Sequence, residues 1–255
     1  LPLLILCILY SSQGLFAGLL FVVSGLALHE FYRMALPKQR RLEGSLAVAA
    51  GMFCCVGLVY ATSSASLLLS IVLPCLFLSL VFLFRFQDMQ TVSRDLAVSL
   101  LGLMYVPLLL SHAVLLRALP AGRDWIFLVL LVVMASDTLA YFVGRKLGRH
   151  RLYEAVSPKK TIEGSLGGLA GSVLGALICK LWFFTELSSL DVLLIGLGVG
   201  TFSQLGDLVE SMLKRSFGVK DSGALIPGHG GLLDRLDSLL FAFPITYYYA
   251  VWVFV

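Results

Sequence analysis

The chain has 255 residues, of which 59% are apolar and 13% charged, with 19 Lys and Arg against 15 Asp and Glu and a net charge of +4. A soluble domain carries about a quarter charged residues and under half apolar ones, so this composition excludes an ordinary water-soluble domain and points to a surface buried in a bilayer. No aromatic-interleaved basic module accompanies the modest positive charge, which excludes nucleic acid as the partner.

Apolar runs broken by short polar stretches predict nine helices, at 1–12, 14–35, 44–61, 66–86, 93–117, 124–145, 163–184, 190–215 and 237–255. A helix needs about 20 predominantly apolar residues to cross a hydrocarbon core, and runs of that length recur along the whole chain. They are continuous rather than alternating, which excludes a β-barrel. The expected fold is an all-α polytopic membrane protein, a single transmembrane domain over 1–255 with a polar cavity on its cytoplasmic side. Helices of 1–125 serve anchoring, packing or dimerisation, and those of 126–255 carry the chemistry. The five cysteines, Cys7, Cys54, Cys55, Cys75 and Cys179, all fall in apolar runs and read as small hydrophobes rather than disulfide or zinc partners.

The stretch LPLLILCILY reads as part of a first span. His29 and Glu30, near the end of the second, read as hydrated and inexpensive. Basic residues then gather in alternate loops: Arg33, Lys38, Arg40 and Arg41; Arg85 and Arg94; Arg145, Lys146, Arg149, Arg151, Lys159 and Lys160; and Lys214, Arg215, Lys220 and Arg235. These are 16 of the 19 basic residues, and they share one face if every span crosses once. Positive charge in short loops stays on the cytoplasmic side, so that face is expected to be the cytoplasmic one.

An ionisable group within a span costs about 2.5–3.5 kcal/mol on insertion scales, so each one needs a reason. Asp137 lies in VLLVVMASDTLAYFVGRK and reads equally as a structural partner for a basic residue or as a site residue. After it comes GRKLGRHRLYEAVSPKKTIEGS, residues 144–165, where Thr161 is a suitable N-cap with Gly164 in the first helical turn. Gly167, Gly171 and Gly175, four residues apart, predict close helix packing rather than phosphate binding.

In QLGDLVESMLKRS, residues 204–216, helical spacing puts Asp207, Ser211 and Lys214 on one face, while Glu210 can pair with Lys214 one turn on. Asp207 lies deeper among Leu205, Leu208 and Val209 and needs a cation, from a metal or from a base elsewhere. The last polar stretch, KDSGALIPGHGGLLDRLDS, places Asp234 and Asp237 three residues apart at the start of the final span. Two carboxylates so close repel unless they share a cation, and hard oxygen donors suit Mg²⁺. Pro227, Gly228, Gly230 and Gly231 interrupt any helix before them, and exposed amides in such a loop suit phosphate.

The segment SMLKRSFGVKDSGALIPGHGGLLDRLDS, residues 211–238, resembles the signature of the phosphatidate cytidylyltransferase (CDP-diacylglycerol synthase) family: Lys-Arg, four residues, Lys-Asp, then Pro-Gly-His-Gly-Gly and Asp-Arg-x-Asp. DTLAYFVGRKLGR and SPKKTIEGS are similar to its other motifs, so the likeness covers roughly 130–240. The resemblance implies a nucleotidyltransferase of phospholipid biosynthesis that converts CTP and phosphatidic acid into CDP-diacylglycerol and pyrophosphate. It further implies Mg²⁺ with K⁺ as a second ion, a homodimer, and a bacterial inner membrane with the site facing the cytoplasm.

By the same resemblance Asp207, Asp234 and Asp237 are metal ligands. Lys214, Arg215, Lys220 and Arg235 hold phosphates, and Lys159 and Lys160 close over them. His229 counts with the phosphate-binding group, and Asp221 and Ser211 belong to the motif without a derived role. Two other readings stay open: a CTP-dependent polyprenol or phytol kinase, and an ion-coupled transporter using Asp137 and Asp207.

Overall fold

The computed structural model describes residues 8–223 and 230–255. Its long helices are α1 (Gln13–Ala35), α2 (Arg41–Tyr60), α3 (Ser64–Arg85), α4 (Val92–Leu103), α5 (Leu109–Ala118), α6 (Gly122–Leu147), α7 (Ile162–Trp182), α8 (Ser189–Ser216) and α9 (Asp237–Phe254). A π turn over Met104–Leu108, built around Pro107, joins α4 to α5 so that they run as one span. Seven stretches among the described residues are long and apolar enough to cross a membrane, which makes this an all-α polytopic membrane fold. The sequence reading expected nine. Most of segment 1–12 lies outside the described residues, and the tyrosine-rich α9 is not among the seven.

Local chemistry explains where the helices begin. Ser63 opens α3 with a capping box, its hydroxyl accepting from the Ser66 amide while Ser66 returns a bond to the Ser63 amide. Ser188 does the same for α8 through Asp191. Thr161 caps α7 as expected, accepting from the Gly164 amide at 3.1 Å. Cys54, Cys55 and Cys179 are buried free thiols, as their apolar surroundings predict.

Contacts divide the chain into two compact units. The N-terminal unit holds Ser11–Val114 with residues 221–223 and 230–234. Its helices α1 to α4 pack around Leu28, Phe31, Leu78, Phe82 and Leu103, all essentially inaccessible. The buried charges Arg40, Glu43 and Asp95 meet among them, with the exposed Arg85 at their edge. The Arg40 guanidinium, 2% exposed, donates to Asp95 at 3.2 Å and to the Arg85 carbonyl at 2.7 Å, and lies 3.6 Å from Glu43. Arg85 in turn reaches Glu43 at 3.3 Å, and Arg40 also stacks over Phe82. Two carboxylates thus neutralise two guanidinium groups. Arg40 is therefore not the solvated topology charge that the loop pattern suggested, because a charge this deep persists only when fully paired.

The C-terminal unit holds Leu115–Lys220 and Arg235–Val255, with residues 8–10. Its closest pairing is α6 on α7, and the glycine stripe is the reason. A side chain at Gly171 would collide with the Ala135 carbonyl, and one at Gly175 would meet Ala135 and the Val132 backbone. Between these helices runs a hairpin the sequence did not announce, β1 (Arg151–Tyr153) antiparallel to β2 (Ser157–Thr161). It is tied down by Glu163, whose carboxylate accepts from the Arg149 amide at 3.0 Å and meets His150 Nδ1 at 2.7 Å.

Replacing Asp95 with Ala strands the buried Arg40 guanidinium. Removing one partner of a buried pair costs about 3–5 kcal/mol, so D95A is expected to unfold well below the parent in a thermal melt in detergent. Substitution of the exposed Arg41 by Ala should leave that melt nearly unchanged.

Candidate active site

A cavity of about 580 Å³ opens in the C-terminal unit. One wall is basic: Arg145 at the end of α6, and Arg151, Lys159 and Lys160 on the hairpin. The other is acidic, with Asp137 from α6 and Asp207 from α8, and Ser165 and Gln204 complete the lining. The two walls meet where Lys160 Nζ sits 2.5 Å from Asp207 Oδ2. Ser165 donates to Gln204 Oε1, and Gln204 returns a bond to the Ser165 carbonyl at 3.1 Å, which locks α7 to α8 beside that pair. Pockets of roughly this size suit small ligands, and the charge pattern here suits a polyanion accompanied by a cation.

Asp237, the first residue of α9, adds a third carboxylate. Asp137, Asp207 and Asp237 lie within electrostatic reach of one another, and Lys160 is the base that Asp137 feels. Asp237 also lies close to Glu210, which is wholly buried. Two carboxyl groups so placed must share a proton or a cation, and Lys214 stands beside them, 3.1 Å from Glu210. Among the described residues no three of His, Cys, Asp or Glu stand close enough to hold a metal ion together. In chemistry, however, the set fits a hard divalent ion. Asp137, Asp207, Asp237 and Glu210 outnumber the two ammonium groups of Lys160 and Lys214, and every donor is an oxygen.

The last polar stretch belongs in part to the N-terminal unit. Asp234, in a short 3₁₀ turn over Leu233–Arg235, accepts from the Ser222 amide at 3.0 Å and the Gly231 amide at 2.7 Å. Glu30 of α1, 6% exposed, accepts from Ser222 Oγ at 3.2 Å and from the Leu233 amide at 2.9 Å. Gly230 has a positive φ of 81°, and a side chain at Gly231 would strike Ser222 and Glu30, so both must be glycine. Glu30 thus organises the segment that bears Asp234. The sequence reading had dismissed it as hydrated; burial beside two donors gives it a different role.

The remaining expected residues are dispersed. Lys214, 9% exposed, keeps its ammonium on Glu210, so the pairing reading of these two residues holds. Arg215 is exposed at the end of α8 and donates to the Val219 carbonyl at 3.2 Å. Lys220, Asp221 and Arg235 are exposed, and Ser211 makes a long contact to Asp207 at 3.4 Å. His229, Pro227 and Gly228 lie outside the described residues. Arg145, Arg151, Gln204 and Glu210 were missed as site residues. Arg145 and Arg151 carry a signal in the basic loop 144–165, and Glu210 one in its spacing from Lys214, which reads equally as a helix end neutralising itself.

A model of the family described as "Cytidylyltransferase family" matches residues 1–253. Similar proteins include a phosphatidate cytidylyltransferase of Staphylococcus epidermidis, 46% identical over 124 residues that make up 49% of this chain and 48% of that protein. One of Bacillus subtilis is 42% identical over 149 residues, covering 58% and 55%. One of Synechocystis is 42% identical over 67% of each chain. The chain spans about half the length of the first two relatives.

Substituting Glu30 by Ala removes the acceptor of the Leu233 amide and the Ser222 hydroxyl. An acceptor lost to a buried donor costs about 1–3 kcal/mol, so hydrogen exchange at the Leu233 amide should quicken by roughly tenfold or more. Unchanged exchange would mean that Glu30 does not hold this segment.

Proposed function

Because the chain belongs to the cytidylyltransferase family, we propose that it transfers the cytidylyl group of CTP to phosphatidic acid, giving CDP-diacylglycerol and pyrophosphate. A phosphate oxygen of the lipid attacks the α-phosphorus of CTP in line; the new P–O bond forms as the bond to pyrophosphate breaks. The lipid phosphate is already a competent nucleophile, so no covalent enzyme intermediate is needed. Catalysis then consists of positioning and charge neutralisation.

The observation that carries this reading is the cavity whose basic hairpin wall faces a carboxylate wall across the Lys160–Asp207 pair. Arg145, Arg151 and Lys159 are placed to hold a triphosphate. Lys160 exchanges Asp207 for a phosphate oxygen as substrate enters, and Gln204 with Ser165 keeps α8 in register while it does so. Within the C-terminal unit Asp207 and Asp237 are the residues that would hold Mg²⁺, with K⁺ as a second ion. When bound, Mg²⁺ supplies neutralisation of the nucleotide phosphates. Lys214 serves by holding Glu210, and the exposed Arg215, Lys220 and Arg235 are assigned to substrate phosphates outside the cavity lining. The wealth of basic residues in alternate loops supports a cytoplasm-facing site in a bacterial inner membrane, and a homodimer is the assembly we assign.

The test is purified protein in detergent given phosphatidic acid, labelled CTP and Mg²⁺. CDP-lipid carrying the cytidine label is the expected product, whereas γ-phosphate on the lipid would identify a kinase. Asp207→Asn, which removes a charge from the acidic wall and the partner of Lys160, should lower turnover by roughly a hundredfold or more while the melting temperature holds. Near-normal turnover by that variant would remove Asp207 from the chemistry.

A further inference from the structure

The N-terminal unit contains a second charged cavity, of about 390 Å³, formed by the end of α1, the turn Lys38–Arg40 and the start of α2. His29, Arg33, Lys38 and Arg41 line it and are exposed. No carboxylate does. The nearby acids are turned elsewhere, since Glu43 and Asp95 pair with Arg40 and Arg85, and Glu30 accepts from the Ser222 hydroxyl and the Leu233 amide. Among the described residues Arg33, Lys38 and Arg41 make no ion pair, so three permanent cations face a concave surface without counter-charge. Uncompensated cations in a concavity favour an anion strongly, because low-dielectric walls focus the field.

The surface is also rigid. Arg40 completes the lining, and its buried guanidinium is fixed by Asp95 and the Arg85 carbonyl, which pins the turn between α1 and α2. Pro37 caps that turn with extended backbone, and the buried Tyr32 on the same wall is tethered by its hydroxyl to the Ser99 carbonyl at 2.8 Å. The cations therefore stand on an ordered floor rather than a free loop. Both flanking stretches, Gln13–Ala35 and Lys38–Tyr60, are candidate spans that meet at this turn, so the cavity lies where hydrocarbon gives way to headgroups.

We infer that this cavity binds the phosphate of an anionic lipid headgroup, whose acyl chains lie along the exposed apolar faces of α1 and α2. Arginine engages phosphate oxygens in pairs, and Lys38 adds a mobile point charge. The cavity has room for a headgroup, and it shares no lining residue with the cavity assigned to catalysis. The site stands whether or not the proposed transfer reaction is the right one, since it rests on other residues.

The experiment measures binding, not turnover. Detergent-purified protein is titrated with short-chain phosphatidylglycerol in mixed micelles, with phosphatidylcholine and inorganic phosphate as separate arms. Saturable binding of phosphatidylglycerol is expected, weakened about tenfold or more in the combined variant Arg33→Gln, Lys38→Gln, Arg41→Gln. Lys159→Gln with Lys160→Gln should leave that binding intact. The single variant Arg41→Gln, at an exposed position, should show a smaller loss and decides the matter if the combined variant does not fold. Equal binding of phosphatidylcholine, full retention by the Arg33, Lys38 and Arg41 variants, or inorganic phosphate binding as tightly as the lipid would overturn the assignment.

Discussion

Lys160 on a short hairpin and Asp207 on α8 hold one another at 2.5 Å, and the arrangement of the cavity in the C-terminal unit depends on that pair. Asp207 needs a counter-charge because it lies among leucines on a span, where an isolated carboxylate is expensive. Meeting that need draws the hairpin over the helix ends, and Arg151 and Lys159 come with it. One contact thus gives the carboxylate its counter-charge and sets the basic hairpin over the cavity. The same pair holds the Lys160 ammonium half-buried and aimed into the cavity, so it would pass to a phosphate oxygen of the proposed substrate at little cost in ordering.

The N-terminal unit obeys the same electrostatic rule with a different outcome. Arg40, Arg85, Glu43 and Asp95 close a neutral set, so that cluster is inert and serves to fix a turn. Glu30 satisfies backbone and hydroxyl donors in the segment that carries Asp234, and so converts burial into order. The difference between a structural charge and a functional one lies in what remains after pairing. The inner set leaves nothing over. The outer cations Arg33, Lys38 and Arg41 leave three positive charges facing the membrane boundary.

Much of this was legible in the sequence because bilayer insertion writes itself plainly. The continuous apolar runs located the helices to within a few residues, Thr161 announced the start of α7, and the glycine stripe announced its packing. Asp207 stood out because nothing near it in sequence could neutralise it. What escaped were contacts between residues far apart in the chain. Glu30 and Ser222 are separated by 192 positions, and no spacing rule connects them. The hairpin escaped for a local reason. RLY and SPKKT contain a proline and no alternation of apolar residues, so their strand character comes from pairing and from Glu163 rather than from propensity.

The contact between Gly171 and Ala135 sets the distance between two helix axes as a spacer sets a gap. Asp137 sits two positions beyond Ala135 on the same helix, so the thinness of α7 at that point determines how far the carboxylate stands from its neighbours. Even a methyl group on the glycine would act as a wedge, lifting α6 and carrying the acid outward with it. A residue with no side chain and no chemistry of its own therefore sets how closely α6, and with it Asp137, can approach α7.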